Sequence, residues 1–343
     1  SRRDFGGGEK MRFSSAVYRI MAASFLVPLS AAVVAQTTPV DFASNYPNRT
    51  LRVVVPYPAG GTSDILIRLI GQKLTEKWGQ QIVVEARPGA AGLIGTEVVA
   101  RAQPDGYTLS AADMGSVMIS WLAHAKPPFD YLRDLTPVMV MAYSPHVLCA
   151  HPSLPVRSVK DLIALAKQRP GQLNFAASLA GAPLMAGVDF ANRAGIRWTY
   201  ITGRGGMQTI MDVMSGQADA FFNGMLPTVP HIKSGRLRLL AVSSDKRVAS
   251  MPETPTIAES GMPGFLTGSW QGVLAPAGTP SEILLKLHAE MSRALAMPDI
   301  REKLAAQGTE PRNTSPGDTA KAMQAERDRL VKLIRETNFK PGQ

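Results

Sequence analysis

Val53-Val-Val-Pro-Tyr-Pro-Ala-Gly-Gly-Thr-Ser-Asp64 passes from a β-branched apolar run, through a proline-punctuated turn, into the start of a helical pattern. The apolar run predicts a buried strand over Leu51–Pro56. The pair Gly60-Gly61 followed by Thr62, Ser63 and Asp64 predicts a helix start. Such a start leaves backbone N–H groups without intrahelical acceptors, and the positive end of the helix dipole lies in the same place. The turn formed by Tyr57, Pro58, Ala59, Gly60, Gly61 and Thr62 is therefore a seat suited to an anion. Asp64 serves either as a first-turn acid that complements the dipole or as an acceptor for a ligand hydroxyl, amine or ordered water; the two roles are compatible.

Outward from this turn, short apolar runs alternate with helical patterns, the signature of a parallel-sheet α/β fold. Further strands are expected at Ile82–Glu85, Thr108–Ala111, Val138–Met141, Val147–Ala150, Leu173–Ala176, Ala220–Phe222, Leu237–Ser243 and Trp270–Ala275. Thr279-Pro-Ser-Glu282 reads as a capping box, and Ser158 and Ser315 open similar helix starts. After Thr279, Ile283, Leu284, Leu287, Met291 and Leu295 recur at helical spacing and predict one buried face. The pattern breaks around Ala150–Ser158 and again around Pro252–Gly268. If the chain crosses between lobes at both breaks, residues 46–149 and 266–343 form one lobe and residues 150–265 the other. The cleft would then lie between the lobes, where ligand sites are favoured.

The first ten residues precede Met11 and read as upstream sequence. Arg12 and Arg19 followed by the apolar stretch Ile20–Val34 form a secretory signal, with small residues placing cleavage after Ala35. At about 15 residues the stretch is shorter than the roughly 20 that a membrane span needs. Export to the periplasm is the expectation. Removing residues 1–35 takes away five basic residues (Arg2, Arg3, Lys10, Arg12, Arg19) and two acidic ones (Asp4, Glu9). The net charge falls from +10 to +7 over the remaining 308 residues. That is chain enough for two cores, and the positive charge favours anionic ligands. The basic residues are scattered without interleaved aromatics, so no nucleic-acid partner is expected. The single cysteine, Cys149, excludes an intrachain disulfide.

Two turns in the second lobe resemble the first in design. Ala176-Ala-Ser-Leu-Ala-Gly-Ala-Pro183 surrounds Ser178, Leu179, Ala180 and Gly181 with small residues, so a ligand can approach the backbone while Ser178 offers a hydroxyl. Thr199-Tyr-Ile-Thr-Gly-Arg-Gly-Gly206 presents Arg204 and Gly205, and the guanidinium suits a carboxylate. Other motifs fail on context. Gly89, Gly92 and Gly95 are spaced GxxGxxG rather than GxGxxG, and they read as another helix start. Ser243-Ser-Asp-Lys246 lacks the companion motifs of a serine acyl-enzyme. His146, Cys149 and His151 do not share one strand face, so no metal site is expected there. No catalytic residue, metal or cofactor is assigned.

An ordered series of motifs extends the argument. Tyr46-Pro47 and Pro56-Tyr-Pro-Ala-Gly-Gly-Thr-Ser-Asp64 are followed by Arg87-Pro-Gly-Ala-Ala-Gly-Leu-Ile-Gly95, Pro104-Asp-Gly-Tyr-Thr-Leu109 and Asp134-Leu-Thr-Pro-Val138. Gly216-Gln217, Gly235-Arg-Leu-Arg-Leu-Leu-Ala-Val242, Pro252-Glu-Thr-Pro-Thr-Ile-Ala-Glu-Ser-Gly261 and Ala275-Pro-Ala-Gly-Thr-Pro280 complete it. Over about residues 46–337 the chain resembles the extracytoplasmic solute-binding receptors of tripartite tricarboxylate transporters, the Bug or TctC-like proteins. The resemblance implies a two-lobed, type II-like periplasmic binding protein that closes on its ligand like a Venus flytrap. It implies a small carboxylate ligand held by Tyr57–Asp64, with the turns Ser178–Pro183 and Gly205-Gly206 opposite. It also implies membrane permease subunits as partners, and a monomer is expected.

Two departures from the family pattern bear on the ligand. Leu184 and Met185 stand where Pro-x-His-Leu would place its x-His, and Ile201-Thr-Gly-Arg-Gly205 replaces Val-Pro-Tyr-Lys-Gly. A pocket with Leu184 and Met185 in place of polar groups would suit an aromatic or longer aliphatic carboxylate. The readings from other classes are a periplasmic sensor partner of a signalling system, separable by its neighbouring genes, and an exported α/β hydrolase, which needs a nucleophile–base pair that the sequence does not supply.

Overall fold

The computed structural model describes residues 44–337, apart from 114 and 125. The signal segment and the cleavage position after Ala35 lie outside the described residues. Strand β1 (Leu51–Val55) leads into α1 (Thr62–Trp78), followed by β2 (Ile82–Ala86), α2 (Leu93–Ala100), β3 (Thr108–Asp113), α3 (Ser120–Ala123) and the long β4 (Leu135–Ala150). Then come α4 (Val159–Gln168), β5 (Asn174–Ser178), α5 (Ala182–Ala194), β6 (Thr199–Gly203), α6 (Gly206–Met214), β7 (Ala220–Gly224), α7 (Met225–Lys233) and β8 (Arg238–Val242). The chain finishes with β9 (Gly268–Pro276), α8 (Ser281–Ala296), α9 (Pro298–Ala305), β10 (Glu310–Pro311) and α10 (Pro316–Thr337).

The sheet is mixed rather than all parallel. β1 pairs in parallel with β2 and β3, and β5 pairs in parallel with β6 and β7. Between these parallel sets run β4 and β9, antiparallel to each other and to their other neighbours. The expected strands Val138–Met141 and Val147–Ala150 are parts of the single strand β4. Its first part, through Pro145, pairs with β9, and from His146 onward it pairs with β7. The change of partner falls between Pro145 and His146, ahead of the sequence break at 150–158. On the return path Thr267 accepts from the His146 N–H, and Gly268 then starts β9.

Each lobe has its own apolar core. In the first, Leu66, Ile67, Ile70 and Leu74 of α1 pack with Val53, Val55, Leu109, Leu287 and Met291. Their spacing puts one apolar stripe of α1 against the sheet. Gly79, in the left-handed region at φ 68°, ends the helix by donating to the Thr75 carbonyl. The second lobe is filled by rings. Phe175 and Phe190 stack on Trp198 at 4.3 and 5.5 Å, and Phe222 stacks on Phe265 at 5.9 Å. Such offset ring pairs add about 0.5–1.5 kcal/mol each beyond the area they bury.

Away from the cleft, α4 and α10 start on serine side-chain caps, whereas α2, α3, α8 and α9 start without one. The Ser158 hydroxyl accepts from the Asp161 N–H at 3.1 Å, and Ser315 does the same for Asp318. The predicted box at Thr279 does not form. Its hydroxyl donates backwards to the Pro276 carbonyl at 2.8 Å, and Pro280 occupies the N-cap position of α8 without a side-chain cap. The apolar face predicted for that helix is buried as expected.

Candidate functional site

Four helices begin around one cleft of about 390 Å³, and a glycine stands at each N-cap: Gly61, Gly181, Gly205 and Gly224. None of the four starts has a side-chain cap. The first turns of α1, α5 and α6 therefore present backbone donors and dipole ends to the cleft instead of satisfying them locally. At α7 the case differs. Asn223 Oδ1 accepts from the Gly224 N–H at 2.9 Å, and the Ser144 hydroxyl accepts from the Met225 N–H at 3.0 Å.

The turns of the two lobes face each other closely. A methyl placed on Gly60 would lie 3.1 Å from Met207 Cγ, and one on Gly205 would lie 3.3 Å from Pro58 Cδ. Gly60 has φ 89°, a left-handed conformation that β-carbon-bearing residues adopt at a cost. Its N–H donates to the Asp64 carboxylate at 3.0 Å. The other oxygen of Asp64 is held by Arg68, one turn along α1, at 2.9 Å. Asp64 thus fixes its own turn. Gly181 is required by closeness of another kind, since a methyl there would collide with the Ser178 hydroxyl.

Of the predicted site residues, Tyr57, Pro58, Gly61, Thr62, Asp64, Ser178, Gly181, Arg204 and Gly205 line the cleft. Ala59, Gly60, Leu179 and Ala180 shape the turns without lining it, and Ala180 is buried in the core at φ 51°. Arg204 is exposed at the rim and makes no ion pair with another described residue. Leu184 and Met185 do not face the cleft. Helix α5 turns them into the cores, Leu184 into the ring cluster of the second lobe and Met185 towards α10. The expectation of an apolar pocket built from these two side chains is corrected accordingly.

The strands supply a wall that sequence reasoning missed: Asp113 at the end of β3, His146 in β4, and Ser269 and Gln271 in β9. His146 is 1% exposed, its Nδ1 lies 3.2 Å from the Thr267 hydroxyl, and its Nε2 has no protein partner. Burial, helped by the charge of Arg329, lowers its pKa to about 3, so the ring is neutral at physiological pH. Burial raises the Asp113 carboxyl above its ordinary value, although the Ser116 N–H donates to it at 2.8 Å. The Tyr57 phenol is raised by burial and by the adjacent Asp113. Local motifs give no signal for this wall, because strand pairing assembles it from distant residues.

Residues 66–339 match the model of the tripartite tricarboxylate transporter family receptor. The chain belongs to this receptor family. The receptor is 34% identical over 300 residues to protein BugT of Bordetella pertussis, covering 87% of this chain and 92% of BugT. Among solved structures, Rpa4515 of R. palustris with adipate is 35% identical with a TM-score of 0.83, covering 85% of this receptor and 98% of that chain. MatC from Rhodopseudomonas palustris with bound malate is 28% identical with a TM-score of 0.80, covering 84% and 100%. The receptor therefore has the two-lobed periplasmic binding protein fold, with its cleft walled by strands and helix starts. Among the described residues no helix is long and apolar enough to cross a membrane.

Proposed function

We propose that this receptor is exported, loses a leader ending at Ala35, and captures an organic carboxylate in the periplasm for a tripartite tricarboxylate-type transporter. The observation that carries the reading is the convergence of three glycine-capped helix starts, those of α1, α5 and α6, without side-chain caps, on one cleft beside Arg204. A carboxylate placed there accepts from backbone N–H groups around Gly61–Thr62, from that of Ala182 and from those around Gly205–Gly206, and from the Arg204 guanidinium. Tyr57, Pro58 and Ser178 enclose it. Related receptors with adipate and with malate support the ligand class.

Binding couples to closure. The lobes are joined where β4 changes partners between Pro145 and His146 and where the chain returns at Thr267–Gly268. A ligand that touches both lobes favours the closed arrangement by its differential affinity for it.

The test is a thermal-shift and calorimetric screen of purified residues 36–343 against citrate, malate, adipate and benzoate, with inorganic phosphate as control. A ligand present at 100 times its Kd stabilises the native state by about 2.7 kcal/mol, which raises Tm measurably. The reading requires at least one carboxylate to do so with phosphate silent. Phosphate binding without any carboxylate response would overturn it.

A further inference from the structure

The strand wall of the cleft differs in chemistry from the helix starts. Asp113 of β3 lies directly opposite Gln271 of β9 in their antiparallel ladder. Side chains of opposed residues stand on one face of a sheet, with Cβ atoms about 4.5–5.5 Å apart. Both residues line the cleft. Gln271 is 2% exposed, and its Oε1 is buried without a hydrogen-bond partner in the protein. The Tyr57 hydroxyl, set against Asp113, is also buried without a well-directed partner. A buried acceptor left unmatched is costly, so the wall is completed by a donor.

Charge points the same way. The cation lining the cleft is Arg204, which belongs to the turn between β6 and α6 and not to the strand wall. His146, the remaining nitrogen base of that wall, is neutral. A second carboxylate placed against Asp113 and the Gln271 Oε1 would set its oxygens against acceptor oxygens, with no cation from the wall to offset them. A hydroxyl or ammonium group there would meet two acceptors.

On the carboxylate reading above, we infer that the ligand carries one carboxylate for the helix starts and a hydrogen-bond donor, not a second carboxylate, for Asp113 and Gln271. The two polar walls thus select by opposite chemistry. The helix starts donate, and the strands accept.

Calorimetry with four six-carbon acids tests this: hexanoate, 6-hydroxyhexanoate, 6-aminohexanoate and adipate, at pH 7.5. The inference requires the hydroxy or the amino acid to bind at least about tenfold more tightly than adipate and hexanoate. The tighter of the two identifies the donor. Asp113→Asn should remove the discrimination against adipate. Because Asp113 also holds the loop at Ser116, Gln271→Met provides a second variant, and it should weaken the donor-bearing acid about tenfold while leaving adipate within about twofold. Adipate binding most tightly to the unaltered protein would overturn the inference while leaving the carboxylate reading intact. So would parallel shifts of all four acids in both variants. If no acid binds here or in the wider screen, the carboxylate reading itself falls.

Discussion

Gly61 has an extended backbone at φ −77°, and a methyl added to it meets no atom within 4 Å. Valine at this position keeps the fold, because neither the backbone angle nor neighbouring atoms resist it. Its branched side chain projects into the cleft where the amides of α1 are exposed. We expect Gly61→Val to weaken carboxylate binding at least about 100-fold by calorimetry. Its melting temperature without ligand should stay within about 2 °C of the parent, since a substitution meeting no buried feature changes stability little. Retained affinity would remove the first turn from the site. His146 supports a prediction of a different kind. Its folded pKa lies below its unfolded one, so the unfolded chain binds the extra proton. The stability it contributes is present above pH 6.5 and is lost as pH falls towards 3. Between pH 7.5 and 5 the loss should reach about 2 kcal/mol in urea titrations. His146→Asn should flatten that slope, and an unchanged slope would show that the ring does not control it.

At the level of elements, a serine-capped start remote from the cleft can be set against the glycine starts that line it. Ser158 caps α4 away from the cleft, and Ser158→Ala should cost about 1 kcal/mol of stability with no effect on ligand affinity. A change in affinity would mean that α4 communicates with the site. Element reading from sequence succeeded where local chemistry decides the outcome. The strand before Pro56, the glycine start of α1 and the buried face of α8 all follow from spacing and turn residues. It failed where pairing decides. β6 (Thr199–Gly203) is an edge strand with no fully buried position, so its sequence reads as part of a turn. Pro137 and Pro145 divided β4 in the sequence, yet Pro145 sits where the strand changes partners, a place that tolerates a residue without an N–H. Asp113 and Gln271 are 158 positions apart, and only the β3–β9 ladder brings them side by side. The donor half of the site was therefore legible in the sequence. The acceptor half was not.

Across the whole molecule, the first lobe and the second lobe are each centred on an apolar cluster, and a further cluster packs Ala180, Ala182 and Met185 of the second lobe against the first. Phe222 lies at the centre of the second-lobe rings, within 6.0 Å of Phe175, Phe190 and Phe265, and it is fully buried. Phe222→Ala should cost about 3–5 kcal/mol, and differential scanning calorimetry should then resolve an early transition for that lobe. A single unshifted transition would show that the ring cluster relaxes to fill the space. The three uncapped helix starts carry a further consequence. On the proposed reading, the bound anion takes the place of a cap at these three starts, and the solute finishes secondary structure that the polypeptide leaves open. Amide hydrogens in the opening turns of α1, α5 and α6 should exchange rapidly in the unliganded protein and slow together on binding. Those of α7, held by Asn223 and Ser144, should barely respond. Cargo recognition would then be recorded as a change in fraying at three helix ends, a signal that a transporter or any other partner touching those helices could read.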